Sequence, residues 1–259
     1  MATIHPSSIV SPKAELAHDV EIGPFCTIGP DVKIGAGTKL ISHVSIDGAT
    51  TVGERNTFFP FGMIGAVPQD LKFKGERTKL EIGDDNVIRE MVSLHLGTGH
   101  GGGLTKIGNK NLIMAIVHLG HDVFVGDSCV IAGSSTVAGH AIIGNHVVIG
   151  GMTGVGQFIK IGDHAYIGGQ SGIEKDIPPY VVAVGSRPIA IKGVNIVGLK
   201  RRGFESQTIS TLLEAVKLWM RPDVEKERCL LEIEAQHGDN KEVRHLLDFI
   251  KKSENGVTR

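Results

Sequence analysis

The sequence predicts an all-β solenoid: a parallel β-helix of hexapeptide repeats, closed by a small C-terminal α-helical domain. Three observations carry that reading. An aliphatic residue recurs at every sixth position, glycine is abundant while aromatics are scarce, and the repeat gives way to helical spacing near residue 190.

The aliphatic series starts at Ile4 and runs through Val10, Leu16, Ile22, Ile28, Ile34, Leu40, Ile46 and Val52 to Ile64, with Phe58 its one aromatic member. It returns at Ile82, Ile88 and Leu94, and after a shift of phase it runs from Ile107 to Ile173. A helix repeats near 3.6 residues and a strand near 2. A period of six fits neither alone, but it fits a short strand plus a turn, and such arrays mark a parallel β-helix. Three hexapeptides make one triangular coil with the aliphatic inside. A small or β-branched residue four positions on, as in Ala14, Val20, Cys26, Val32, Thr38 and Val44, packs beside it. A glycine directly after many of the aliphatics (Gly23, Gly35, Gly162) is expected to free the backbone at the corner. Coils stack through parallel strand pairing, rising about 4.8 Å each, and each buries its inner face only against its neighbours.

Two segments interrupt the pattern, 66–79 and 97–106, and insertions in a solenoid become loops projecting from one side. The second contains Gly97-Thr98-Gly99-His100-Gly101-Gly102-Gly103. It is like a phosphate cradle, but no Gly-Lys-Ser/Thr and no helix pattern follow, so it is expected to be a flexible loop and not a nucleotide loop. The β-helix is expected over 1–189 and the helical domain over 190–259. Ile209, Leu212, Leu213, Val216 and Trp219 have helical spacing with Ser206 as N-cap, a second helix is expected near Val224 to Ala235, and Val243, Leu246, Leu247 and Ile250 form a third, with Asn240 as N-cap and Gly256 past its end.

Composition narrows the classes. With 41% hydrophobic and 21% charged residues, the chain of 259 residues is expected to be soluble and globular. A net charge of −1 gives no global field toward nucleic acid or an anionic membrane. The N-terminus lacks a basic stretch before an apolar run, and no stretch is long enough to span a bilayer. Cys26, Cys129 and Cys229 are scattered, without metal-type spacing, which predicts reduced thiols and a cytoplasmic location. Cys26 and Cys129 fall on the small inward position and are expected to be packing residues.

The chemistry concentrates at His118-Leu119-Gly120-His121-Asp122. Leu119 points inward, so His121 and Asp122 lie near the next corner. His140, one coil plus one residue later, shares that flank, and His95 can join it. A neutral imidazole can take a proton from an alcohol near pH 7, and a carboxylate can fix its tautomer. His118 and His121 could instead join a third His from a neighbouring chain around zinc. His18, His43, His146 and His164 are read as solvated turn residues. Lys200-Arg201-Arg202 fits a phosphate, an acidic protein or a solvated helix end, and Lys72 and Lys74 carry the same ambiguity. By themselves these residues leave an enzyme with a histidine base, a metalloenzyme and a non-catalytic scaffold all open.

A more specific resemblance rests on Pro68-Gln69-Asp70-Leu71-Lys72, Ile82-Gly83-Asp84 through Ile88-Arg89-Glu90, Asn111-Leu112-Ile113-Met114, His118 to Asp122, Ala138-Gly139-His140, Asp176-Ile177-Pro178-Pro179-Tyr180, and Gly193-Val194-Asn195 through Gly198-Leu199-Lys200-Arg201-Arg202-Gly203-Phe204. In this order, over nearly the whole chain, they resemble the UDP-N-acetylglucosamine O-acyltransferases that begin lipid A synthesis. The resemblance implies a left-handed coil and a homotrimer with clefts between adjacent β-helices. It implies transfer of an (R)-3-hydroxyacyl chain from acyl carrier protein to the glucosamine 3-hydroxyl of the UDP-sugar. His121 would be the general base, Asp122 its orienting neighbour and the Gly139 N–H the oxyanion donor. Asp70, Lys72, His95, His118, His140 and Gln157 would hold the sugar nucleotide. Asn195, Arg201 and Arg202 would contact nucleotide or carrier. Gly169 would set acyl length, a glycine there passing a longer chain. No metal or redox cofactor is implied, the acyl carrier protein thioester being the co-substrate. The chain departs from the family pattern at Gly156, where His is usual, at Val197, where Glu is common, and at Leu96, where Arg is common. An amine on a 3-amino analogue of the sugar is the nearest alternative acceptor, and a trimeric zinc β-helix enzyme of the carbonic anhydrase type is the competing metalloenzyme.

Overall fold

Each aliphatic of the six-residue series closes a short strand, most of them two residues long, in a computed structural model that describes residues 1–259. The strands form three parallel sheets of 11, 9 and 8 strands, the three faces of a left-handed prism. The first face carries Ile4, Ile22, Leu40 and Phe58 in register, the second Val10, Ile28 and Ile46, and the third Leu16, Ile34 and Val52. Within regular coils the partners are 18 residues apart, so the same repeat position stacks upon itself. The spacing becomes 30 across the first insertion and 25 across the second. The insertions therefore keep the aliphatic positions paired, with one irregularity where Ala66 meets His95, and push out only between the second and third faces.

The corner has a different origin from the one expected. At most corners from the second coil on, the third residue after the aliphatic takes the left-handed conformation, and it is mostly not glycine: Phe25 has φ 57°, Asp122 59°, His140 63° and Phe158 64°. The glycine directly after the aliphatic has an ordinary φ in every case but Gly65. Gly23 is required by proximity, since a Cβ there would fall on the carbonyl oxygen of Ile41 in the next coil.

The prism core is aliphatic, and Cys26 and Cys129 are buried at the inward position as expected. At the edge between the third and first faces, the same inward column is polar for three coils. Asn56 donates to the Gly83 carbonyl, Asn86 to Asn56 Oδ1 and the Gly108 carbonyl, and Asn111 Oδ1 accepts from Cys129 N–H. Buried amides persist here because they satisfy the backbone of the adjacent turn.

The sequence pattern placed residues 190–194 with the helices, but Ala190–Val194 is a strand pairing antiparallel with Val181–Val184 and ending the first face. This alternating segment satisfies the open strand edge there. Four helices follow: α1 (Ile196–Arg201), α2 (Ser206–Trp219), α3 (Lys226–His237) and α4 (Lys241–Lys251). No residue pattern marked α1, which is six residues long and capped by Asn195. Ser206 is the first helical residue, with Glu205 at the cap position. Asn240 does cap α4, accepting from Glu242 and Val243 N–H, whereas Gly256 lies beyond the cap residue Lys252, and its carbonyl accepts from Asp176 N–H. Trp219, buried, donates to the Thr258 carbonyl and ties α2 to the C-terminal segment.

Because Gly23 is set by the approach of the next coil, Gly23→Ala should cost about 1–3 kcal/mol, the range for overpacking, measured as a lowered denaturation midpoint. An unchanged midpoint would mean that the coils separate freely.

Candidate active site

Stacking determines what faces what along the edge between the second and third faces. His121, Gly139 and Gln157 share one column, while Asp122, His140 and Phe158 share the next. His121 and Asp122 are buried, 7% and 3% exposed, and His121 Nδ1 lies 2.9 Å from Asp122 Oδ2. A carboxylate only accepts, so Nδ1 carries the proton and the Nε2 lone pair is left for a substrate. Gly139 sits against the His121 ring: a Cβ there would lie 2.6 Å from Cε1 and 2.7 Å from Nε2. His140 meets His121 edge-on at 4.9 Å between centroids and stacks on Phe158 at 4.5 Å, with Nδ1 4.0 Å from Asp122 Oδ2.

The second insertion, expected to be a flexible loop, is an ordered clamp. Thr98 is fully buried; its N–H donates to both Asp122 oxygens and its hydroxyl donates to Oδ2 at 2.6 Å. Asp122 N–H in turn donates to Thr105 Oγ1 at 2.8 Å. Residues Gly99–Gly101 form a 3₁₀ turn, with Gly101 against the Asp122 carboxylate and the His140 ring. The glycines permit this contact, and order comes from the carboxylate, which gathers the loop's donors. Thr98 and Thr105 were not singled out in the sequence, where nothing distinguishes them from other loop threonines. The His121, Asp122 and His140 ligand atoms lie within 4.8 Å of one another, a spacing a metal could use. Yet the Asp122 oxygens are already taken by Thr98 and His121, which suits a hydrogen-bonded dyad better than a zinc site.

Two more imidazoles lie on this flank. His95 Nδ1–H donates to the Val67 carbonyl at 2.7 Å, and its ring is 4.9 Å from that of His118, whose Nδ1 is 2.9 Å from Ser93 Oγ. Burial pushes His95 and His118 below the ordinary histidine range, each helped by the positive charge of neighbouring imidazoles. Burial also lowers His140, against the opposing pull of Asp122. Asp70, in the first insertion, is held below the usual carboxylate range by the Lys72 N–H, then by His100 and His121. The Lys72 side chain and Gln157 are exposed.

Comparison with known proteins fits this geometry. The family described as "Udp N-acetylglucosamine O-acyltransferase; Domain 2" matches residues 176–258. The acyl-[acyl-carrier-protein]–UDP-N-acetylglucosamine O-acyltransferase of Thermodesulfovibrio yellowstonii is 44% identical over 259 residues, 100% of both chains. The protein of the same name from Syntrophobacter fumaroxidans is 44% identical over 256 residues, 99% of each. The chain belongs to the UDP-N-acetylglucosamine O-acyltransferase family. Among solved members, the enzyme of Moraxella catarrhalis superposes with a TM-score of 0.95 at 44% identity, and that of Acinetobacter baumannii with 0.95 at 46%, each over 99% of both chains.

Not every residue that the family resemblance implies is on this edge. Asn195 Nδ2 donates to the His164 carbonyl and Arg202 Nη2 reaches the Ser128 carbonyl at 3.4 Å, both on the edge between the third and first faces. Arg201 is exposed at the end of α1. Gly169 turns the remaining edge, beside Gly151. A triangular prism keeps its three edges apart, so one chain does not bring these residues to His121.

His146 and His164, read from sequence as solvated, instead stack at 4.7 Å, with Tyr180 5.7 Å beyond His164. Alignment of one repeat position over successive coils packs them. Burial, with His146 nearby, lowers His164 to about 4.

Two outcomes follow from these contacts. Thr98→Val removes one hydrogen bond to a charged group and should lower turnover roughly tenfold, measured in steady state; unaltered turnover would mean that the clamp does not orient the dyad. For His164, an imidazole in the unfolded chain protonates near pH 6.5, above its folded value. The unfolded state therefore binds the extra proton between those values, and stability, full above that window, is lost as pH falls toward 4. Thermal midpoints of His164→Phe should fall less than those of wild type between pH 7 and 4.5; parallel curves would refute this.

Proposed function

We propose that the chain transfers the (R)-3-hydroxyacyl group of an acyl carrier protein thioester to the 3-hydroxyl of UDP-N-acetylglucosamine, the opening step of lipid A assembly. The observation that carries this is the buried His121–Asp122 pair beneath Gly139 on the edge from which both insertions emerge, in a chain full-length similar to enzymes of that name. His121 Nε2 takes the proton of the 3-hydroxyl as the oxygen attacks the thioester carbon. Asp122 fixes the tautomer and steadies the imidazolium. The Gly139 N–H, which donates to no acceptor of the chain, receives the tetrahedral oxyanion. Collapse expels the carrier's thiolate, which recovers the proton from His121. Asp70, Lys72, His95, His118, His140 and Gln157 line the approach of the sugar nucleotide. The chemistry is complete with these groups and calls for no metal or redox cofactor.

The reading includes a homotrimer. Asn195, Arg201, Arg202 and Gly169 serve the same reaction if neighbouring copies bring these edges toward His121, with Arg201 and Arg202 meeting nucleotide or carrier phosphate and Gly169 leaving room for a long acyl chain. The edge between the first and second faces exposes Phe25, Phe61, Met91, Ile116 and Met152, each by more than half, an apolar ridge suited to burial between copies. No helix is long and apolar enough to cross a membrane, and three unpaired thiols suit a cytoplasmic setting.

Incubation with a mixed hydroxyacyl carrier protein pool and either UDP-N-acetylglucosamine or its 3-amino analogue, read by mass spectrometry, should give the O-acylated sugar nucleotide with a longer chain. His121→Ala should lower kcat by about 10²–10⁴. Acylation of the amine alone, no product at any chain length, or an active His121→Ala would each overturn the assignment.

A further inference from the structure

The two insertions arise in successive coils, yet one side chain from each meets over the imidazole edge. His100 Nε2, in the second, lies 3.0 Å from Asp70 Oδ2 in the first. The Asp70 side chain is 16% exposed, its Oδ1 accepting from Lys72 N–H at 2.9 Å. The contact is an ion pair when the imidazole is charged, with His100 the proton-bearing partner because a carboxylate only accepts. The loops are joined at a second point, where Glu76 accepts from Gly99 N–H at 2.9 Å and from Lys74 N–H at 2.8 Å. On either side of His100 the second insertion is fixed to the dyad: Thr98 is bonded to Asp122, and Gly101 is packed on Asp122 and His140. The His100 ring is 6.2 Å from that of His140.

We propose that His100 is a positioning residue for the acceptor: it carries the placement of the Asp122 clamp across to Asp70, so that the carboxylate meeting the sugar is held in register with the His121 base. This rests on the acceptor reading given under Proposed function. Asp70 sits on an insertion with no strand partner, and its carboxylate can be fixed only by contacts such as this one. Misplacement of a substrate-holding group by even about 1 Å is enough to cost binding or rate substantially. His100 touches Asp70 and not the reacting atoms, so its removal acts on acceptor affinity first.

The test measures both substrates in steady state, together with calorimetric binding of UDP-N-acetylglucosamine without acyl donor. His100→Ala should raise KM and Kd for the sugar nucleotide about fivefold, the upper scale of a part-exposed ion pair. The KM for the acyl donor and kcat should change less than about twofold. His100→Gln, which keeps a donor, should recover most of the loss. Adding His100→Ala to Asp70→Asn should weaken binding little further, because the two act as one unit. Unchanged sugar-nucleotide KM in folded His100→Ala, a fall in kcat alone, or additive effects with Asp70→Asn would each overturn the proposal while leaving the acceptor reading standing. Wild-type protein that neither binds nor acylates the sugar nucleotide would overturn both.

Discussion

Everything in this molecule depends on parallel strand pairing between coils, which places each residue directly beside its counterpart one coil away. Leu94 pairs with Leu119, Leu119 with Val137 and Val137 with Val155, and their outward neighbours are carried along in step. The edges become columns, and a column acquires a character that no single repeat has. One is apolar at Phe25, Phe61, Met91, Ile116 and Met152. One stacks His146 and His164. One sets His140 above Asp122 and Gly139 above His121. A solenoid buries its core only between neighbours, so the same pairing that stabilises the fold also positions the site.

The site is an exception built on that regularity. Rigid coils hold His121 and Asp122, but the regular repeat does not supply enough donors for a buried carboxylate, whose isolated charge would be costly. The insertion after His95 supplies them through Thr98, and Thr105 takes up the Asp122 N–H. Asp122 also adopts φ 59°, a conformation shared by most corners of the prism. The edge turn and the buried carboxylate are thus one residue, and the strain of its left-handed backbone is offset by hydrogen bonds from Thr98 and His121 and to Thr105. The His121 ring is bonded only through Nδ1, and its Nε2 is left without a protein partner.

Much of this was legible in the residues. The six-residue period places each strand from Thr3 to Ile173, because a buried aliphatic at a fixed turn length has no other regular solution. His121, Asp122 and His140 could be grouped from their spacing, since one coil is a known number of residues. The order of Thr98 and the burial of His146 and His164 could not. Loop threonines carry no periodic signal, and turn histidines look alike until their neighbours in the adjacent coils are known. The strand Ala190–Val194 was missed for a related reason: it is specified by the unpaired strand edge it covers.

By itself, then, the sequence determined the prism, its inward column and the coil on which the imidazoles fall, because these follow from local periodicity and the length of a turn. Only the tertiary structure decided that Asp122 is saturated by Thr98, that the two insertions meet at Asp70 and His100, and that Asn195, Arg202 and Gly169 lie on other edges than His121. Those are contacts between segments with no common repeat, and their outcome rests on which donors and acceptors are left over once the coils have closed.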